Sequence, residues 1–159
     1  MPNNKQRALA KRIRTITWKF RDVSDSYPEL KKNRDIKITS PGDLYNTFKF
    51  LFDHEVKEKF VVFWLSSANK VIGFEIVSEG NLNSSVVHPR EVFRGAIVSS
   101  CASIIIAHNH PSGNTDPSGE DIIITKRLVK VGKIIDIPVF DHIIFTNDSY
   151  TSFIERRIL

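Results

Sequence analysis

Apolar residues along this chain change their period several times, and each change marks an element. From Thr15 to Arg21, Ile16, Trp18 and Phe20 alternate with Thr17 and Lys19, the period-2 pattern of a half-buried strand. Residues 22–36 are a polar surface connection, with Ser24-Asp25-Ser26-Tyr27-Pro28 as a turn signal. Ser40-Pro41 then opens a helix, because a serine oxygen caps free amides and proline suits the first helical position. Leu44, Phe48, Leu51 and Phe52 fall on one face at spacings of three and four, with Tyr45 beside them. That face reads as core. Glu55, Lys57, Glu58 and Lys59 read as a polar exit from the helix.

Phe60-Val61-Val62-Phe63-Trp64-Leu65 is a continuous apolar run, as expected of a strand covered on both faces. Ser67-Ala68-Asn69 turns the chain into a second strand, Lys70 to Ser78, which predicts an antiparallel hairpin; residues 79–85 are loop. Pro89 starts a second helix, on which Phe93, Ile97 and Cys101 form a stripe at i, i+4, i+8 beside Val92 and Ala96. Helix 90–102 feeds strand 103–108. A third helix after Ser118 turns Ile122, Leu128 and Val129 to the core. Its Lys126, Arg127, Lys130 and Lys133 lie toward the C-terminal half, where the helix dipole favours cations, and Gly132 terminates it. Residues 134–146 supply a last strand or pair of strands, and residues 149–157 a short terminal helix. These elements add up to a single α/β domain with its sheet sandwiched by helices.

Composition sharpens this outline at three points. None of the apolar runs approaches the ~18 residues of a membrane span, and the basic start, Met1 to Arg14, lacks the apolar stretch of a secretory signal. A cytoplasmic protein without membrane contact is the expectation. One cysteine excludes an internal disulfide and a site built from several thiolates, and on its helical stripe Cys101 reads as a small core residue. The net charge of +5 is unevenly spread: Lys5, Arg7, Lys11, Arg12, Arg14, Lys19 and Arg21 all precede Asp22. Residues 1–35 therefore read as a basic arm with a leading strand. Such an arm is either a solvated terminus or a grip for phosphates, such as those of DNA, or for an acidic partner.

The candidate chemistry lies between the third strand and the third helix, from His108 to Asp121. If strand geometry continues through His110, residues two apart share a face with Cα atoms ~6.6 Å apart, and Asn109 points away. Asp121 falls in the first turn of the following helix, three residues after Ser118, a natural cap. Two imidazole nitrogens and one carboxylate oxygen leave a tetrahedral Zn²⁺ one open position, the arrangement of catalytic rather than structural zinc. Spacing alone leaves a plainer reading open: Ser118-x-x-Asp121 has the form of a capping box, and two solvated histidines need no metal. A zinc deaminase would need a Pro-Cys-x-x-Cys pair, and a Mg²⁺-dependent nuclease an oxygen-rich ligand set.

His108-x-His110, seven residues, then Ser118-x-x-Asp121 resembles the His-x-His-x₇-Ser-x-x-Asp signature of the JAB/MPN+ (JAMM) zinc metalloprotease family. Pro89-Arg90-Glu91-Val92-Phe93, Ala107-His108-Asn109-His110-Pro111-Ser112-Gly113 and Asp141-His142-Ile143-Ile144 are similar to its RadC-like branch, and the similarity covers about residues 36–153. The resemblance implies a JAB/MPN (cytidine-deaminase-like) domain over residues 36–159, with a mixed β-sheet flanked by helices. It implies a zinc-dependent hydrolase that cleaves a peptide or isopeptide bond with metal-activated water. His108, His110 and Asp121 would be the metal ligands, and Ser118 would steady the oxyanion.

Glu58-Lys59-Phe60-Val61-Val62 matches the family's Glu-x-Phe pattern, which makes Glu58 the base; spacing alone does not separate it from Glu55, Glu75 or Glu91. Asp141 or His142 either supports the ligands or is hydrogen-bonded within the core. His54 and His88 have no matching role. The substrate class implied is a peptide or protein. RadC-like proteins usually carry an N-terminal helical region resembling a helix-hairpin-helix DNA-binding module, where this chain shows a strand and a basic arm. That departure weakens the family's association with DNA repair. The short connections between Glu58 and His108 offer no insertion for gripping a ubiquitin-like protein. The alternative is a nucleic-acid-associated repair accessory module with a structural or vestigial metal site.

Overall fold

Ser40 starts the first helix as its residue type predicts. In the structure, a computed structural model that describes residues 15–32, 35–80 and 87–159, the Ser40 hydroxyl accepts from Asp43 N at 3.3 Å. The Asp43 carboxylate takes Ser40 N at 2.8 Å in return, closing a capping box. This helix, α1, spans Pro41–Phe48 and continues as one 3₁₀ turn, Lys49–Leu51. Leu44, Tyr45, Phe48, Leu51 and Phe52 are buried, as their spacing predicts.

The strands are β1 (Glu58–Leu65), β2 (Val71–Gly80), β3 (Ser103–Asn109), β4 (Val139–Phe145) and β5 (Tyr150–Ser152). They form a five-stranded sheet in the order β2-β1-β3-β4-β5. β1 pairs antiparallel with β2 and with β3, β3 parallel with β4, and β4 antiparallel with β5. Two further helices, α2 (Pro89–Ser99) and α3 (Gly119–Ile134), complete the domain, α3 being the crossover that the parallel β3–β4 pair requires.

Strand alternation divides the core in two. Val61, Phe63, Leu65, Ile105, Ala107, Ile143 and Phe145 pack with α1 on one face. Phe60, Val62, Trp64, Ile104 and Ile106 pack with α2 and α3 on the other. The continuous apolar run of β1 is thus explained by its central place, covered on both sides. None of the helices among the described residues is long and apolar enough to cross a membrane.

Six local expectations are corrected. Among the described residues, 15–21 form no strand: Ile16, Trp18 and Phe20 stand largely exposed, because their alternation lies against no sheet edge, and Phe20 meets the Trp64 ring edge-on. Glu58 and Lys59 do not leave a helix; they open β1 after the chain turns through His54 at a positive φ of 57°. Ile97 is 58% exposed, because the buried face of α2 is Val92, Phe93, Gly95 and Ala96 and Ile97 lies to its side, while Cys101 is buried beyond the helix, after Ser100 takes a left-handed turn.

Gly132 lies inside α3 rather than ending it. A Cβ there would stand 2.5 Å from the Ile137 carbonyl oxygen, so glycine serves close approach of the returning chain. Residues 149–157 hold β5 and turns in place of a helix, since Thr151 and Ser152 pair with β4. On α3 the buried set is Ile124, Thr125, Leu128 and Gly132, with Ile122 and Val129 half-buried. Most of the basic arm, residues 1–14, and most of the 79–85 loop lie outside the described residues.

Candidate metal centre

Parity on β3 decides where its polar end points. His108 continues the Ile104, Ile106 row toward α2 and α3, and Asn109 continues the Ile105, Ala107 row toward α1. His110 lies one residue past the strand, yet its N–H still donates to the Phe145 carbonyl at 2.9 Å. Ladder geometry therefore carries through it, and His108 and His110 share a face. A turn at Gly113 (φ 80°) then brings Asn114 back, and the His110 Nδ1 hydrogen is donated to the Asn114 carbonyl at 2.6 Å. A carbonyl only accepts, so neutral His110 keeps its lone pair on Nε2, facing inward.

Ser118 caps α3. Its hydroxyl oxygen accepts from Asp121 N at 3.1 Å, while the Asp121 carboxylate accepts from Ser118 N and from the Ser118 hydroxyl, both at 2.7 Å. The capping box predicted from spacing is real, and it also aims Asp121. One of its carboxylate oxygens lies 3.2 Å from His108 Nε2 and the other 3.4 Å from His110 Nε2, and the two Nε2 atoms are 3.0 Å apart. These three residues form a cluster that could hold a metal ion. The capping and ligand readings of Ser118-x-x-Asp121 are therefore compatible.

The local charges are strongly coupled. Burial opposes ionisation of Asp121, but the His108 and His110 rings in their protonated forms, together with the Ser118 hydroxyl, outweigh it and hold the carboxyl far below the usual range. His110 is pushed up by its hydrogen bond to Asp121, against burial, and the charge of Glu58 adds in the same direction. His142 is pushed well down by complete burial.

Glu58 opens β1, where Phe60 pairs with His108 in the antiparallel ladder. Alternation puts Glu58 and Phe60 on the His108 face, and the Phe60 ring stacks on His108 at 6.2 Å. Glu55 pairs with Lys59, and Glu75 and Glu91 pair with Arg94. His54 sits in an exposed turn and His88 at the start of α2, outside the cluster.

Asp141 and His142 part company. Asp141 accepts from His142 N, Ile154 N and the Ser152 hydroxyl, which ties β4 to the segment after β5. Its pKa is raised by burial, against those hydrogen bonds. His142 points to the opposite face and meets His108 at 2.8 Å. Two further contributors escaped the reading by spacing. Asn109 accepts from Lys59 N at 2.7 Å and donates to the Lys57 carbonyl at 3.0 Å, fastening the chain on both sides of Glu58. Thr125 lies one helical turn after Asp121 and touches His142; its i+4 spacing was the available signal.

A family model described as RadC-like JAB domain matches residues 38–158. The chain belongs to the RadC-like JAB domain family. Relatives named only UPF0758 protein include one from Methanosarcina mazei, 47% identical over 116 residues, covering 73% of this chain and 51% of the relative. Others come from Staphylococcus haemolyticus, 49% over 124 residues (78% and 54%), and Clostridium beijerinckii, 48% over 127 residues (80% and 56%). The chain spans about half the length of these curated relatives. The mixed five-stranded sheet with its helices is the α/β JAB/MPN fold that the resemblance implied. The family includes metalloproteases, and in this RadC-like domain the three metal-competent residues meet at one end of the sheet.

Proposed function

We propose that this RadC-like JAB domain is a zinc-dependent hydrolase that cleaves a peptide or isopeptide bond in a protein or peptide substrate. The observation that carries the reading is the convergence of His108 Nε2, His110 Nε2 and the Asp121 carboxylate on one point beside the strand that begins with Glu58. Ligands about 2.0–2.1 Å from a tetrahedral zinc stand about 3.3–3.4 Å apart. The two Nε2 atoms stand 3.0 Å apart, each imidazole lies within 3.4 Å of a different Asp121 oxygen, and one ligand atom from each residue falls within 4.8 Å of the others, a cluster of the size such an ion spans. Two imidazoles and one carboxylate also match the donor set of zinc better than the all-oxygen set of Mg²⁺.

Bound zinc supplies a water of lowered pKa and polarises the scissile carbonyl. The residues of the chain supply the rest. Glu58, half-buried on the same face, accepts the proton of the attacking water and returns it to the departing amine. Ser118 turns its hydroxyl hydrogen from Asp121 toward the developing oxyanion, while its backbone N–H keeps the carboxylate aimed. Asn114 holds His110 with Nε2 inward, and Phe60 closes the side of His108.

Cleavage of a peptide library with added zinc, comparing wild type with Glu58→Gln, tests the proposal. Zinc-dependent products are expected from wild type and lost in the variant, which keeps its zinc. Matching profiles would remove Glu58 as the base, and no zinc-dependent product from any peptide or isopeptide substrate would defeat the hydrolase reading. The DNA-associated alternative rests on the basic arm; DNA binding across a salt series, with and without residues 1–21, decides whether that arm grips phosphates.

A further inference from the structure

Behind the candidate metal centre, a line of buried polar side chains leaves His108 and returns to Asp121. His108 Nδ1 is 2.8 Å from His142 Nε2, His142 Nδ1 is 2.5 Å from the Thr125 hydroxyl, and that hydroxyl is 2.5 Å from the backbone carbonyl of Asp121. All three side chains are essentially fully buried, so water does not complete or replace any of these bonds. The line begins on one metal-facing side chain and closes on the backbone of another.

Its direction is set at the far end. A carbonyl oxygen accepts and never donates, so the single hydroxyl hydrogen of Thr125 goes to Asp121. This is the i to i−4 back-bond that a helical threonine can make. Thr125 is then an acceptor toward His142, which places the His142 hydrogen on Nδ1. His142 lies between the Phe153 face and the Phe60 edge with its two ring nitrogens bonded to His108 and Thr125 and neither to a carboxylate, so the buried ring carries one hydrogen only. Its Nε2 is therefore a bare acceptor. His108 must donate from Nδ1, and its own lone pair is forced onto Nε2, the atom that faces His110 and Asp121. The opposite tautomer would leave His108 Nδ1 and His142 Nε2 both bare at 2.8 Å in the packed interior, away from the candidate ion position, whereas the lone pairs on His108 Nε2 and His110 Nε2 face that position.

We propose that Thr125 and His142 are positioning residues that fix His108 as the Nδ1–H tautomer and so prepare its Nε2 to ligate a divalent transition metal. The inference rests on the metal reading of the preceding subsection. It gives a second task to the helical turn that carries Asp121: the side chain of that residue is a ligand, and its carbonyl orients the other end of the site through three hydrogen bonds. An outer partner that fixes tautomer and ring orientation is commonly worth about 10–100-fold in metal affinity.

The test measures zinc affinity by competition with a chromophoric chelator for wild type, Thr125→Val and Thr125→Ser. Valine keeps the shape and removes the hydroxyl; serine keeps the hydroxyl. Thr125→Val is expected to bind zinc about tenfold or more weakly, with Thr125→Ser within about threefold of wild type. Long-range ¹H–¹⁵N NMR of zinc-loaded wild type, which needs no variant to fold, is expected to show hydrogen on Nδ1 of both His108 and His142. Equal affinity of Thr125→Val and wild type, or a hydrogen on His142 Nε2, would overturn the proposal while leaving the metal site intact. Wild type that binds no zinc would overturn the metal reading and this proposal with it.

Discussion

Replacing Asn109 by alanine separates the scaffold around Glu58 from the three residues of the candidate metal centre. Asn109 is 3% exposed at the end of β3, on the sheet face opposite His108. Its two bonds, 2.7 Å from Lys59 N and 3.0 Å to the Lys57 carbonyl, hold the residues on either side of Glu58. Each is worth about 0.5–1.5 kcal/mol net, and a buried amide left unpaired costs about 1–3 kcal/mol. Lys57 is exposed, so its carbonyl regains water, whereas Lys59 N is only partly accessible. The sum is about 2 kcal/mol, or roughly 4–8 °C in Tm for a domain of this size. Because the side chain points away from His108, His110 and Asp121, the proposed function predicts a zinc affinity within about threefold of wild type and a hydrolysis rate lower by roughly ten- to a hundredfold as Glu58 loses its placement. Thermal unfolding followed by tryptophan fluorescence, a zinc competition titration and a cleavage assay on the same preparation read the three quantities. An unchanged Tm would refute the stated energetics. A zinc affinity that falls as far as the hydrolysis rate would refute the division of labour between the two faces.

Gly95→Ala should lower the denaturant midpoint by an amount corresponding to about 1–3 kcal/mol, because a Cβ there drives into the Trp64 ring and to 2.8 Å from the Glu75 carboxylate; an unchanged midpoint contradicts this. Asp141→Asn should change the pH dependence of stability in a defined direction. Burial raises the folded pKa of Asp141, so the folded state keeps a proton that the unfolded state has released, and wild type loses stability as pH rises from the ordinary carboxylate value through the raised one. Urea unfolding at several pH values should show Asp141→Asn gaining on wild type across that window, and a difference that stays constant with pH refutes it. Cys101 is buried with its thiol pKa pushed up by burial, so a thiol reagent should label it only on unfolding; rapid labelling of native protein contradicts its place in the core.

Elements whose burial follows from their own residues were legible before any coordinates. The α1 stripe and the two-sided run of β1 satisfy their periods locally, and both fall where the pattern places them. Parity put His108 and His110 on one face, and helix capping put Asp121 in the first turn of α3. What spacing missed depends on distant partners. The alternation at 15–21 predicts a strand only if an edge receives it, and this one lies unpaired. Ile97 fits the i, i+4, i+8 stripe but lies to the side of the face that α2 buries, Val92, Phe93, Gly95 and Ala96, which spacing alone does not select. Glu58 reads equally well as helix exit or strand start until its register with β3 is known, and family resemblance rather than periodicity selected it. Thr125 and His142 are 17 positions apart and meet only because α3 packs on β4.

The measurement that bears most directly on the metal-centred account is elemental analysis of the purified, chelator-free chain. The account predicts about one zinc per chain in wild type, as three protein ligands with an open position require, and its loss in His108→Ala at unchanged fold. Wild-type protein without stoichiometric zinc, or the same zinc content after His108→Ala, would contradict it.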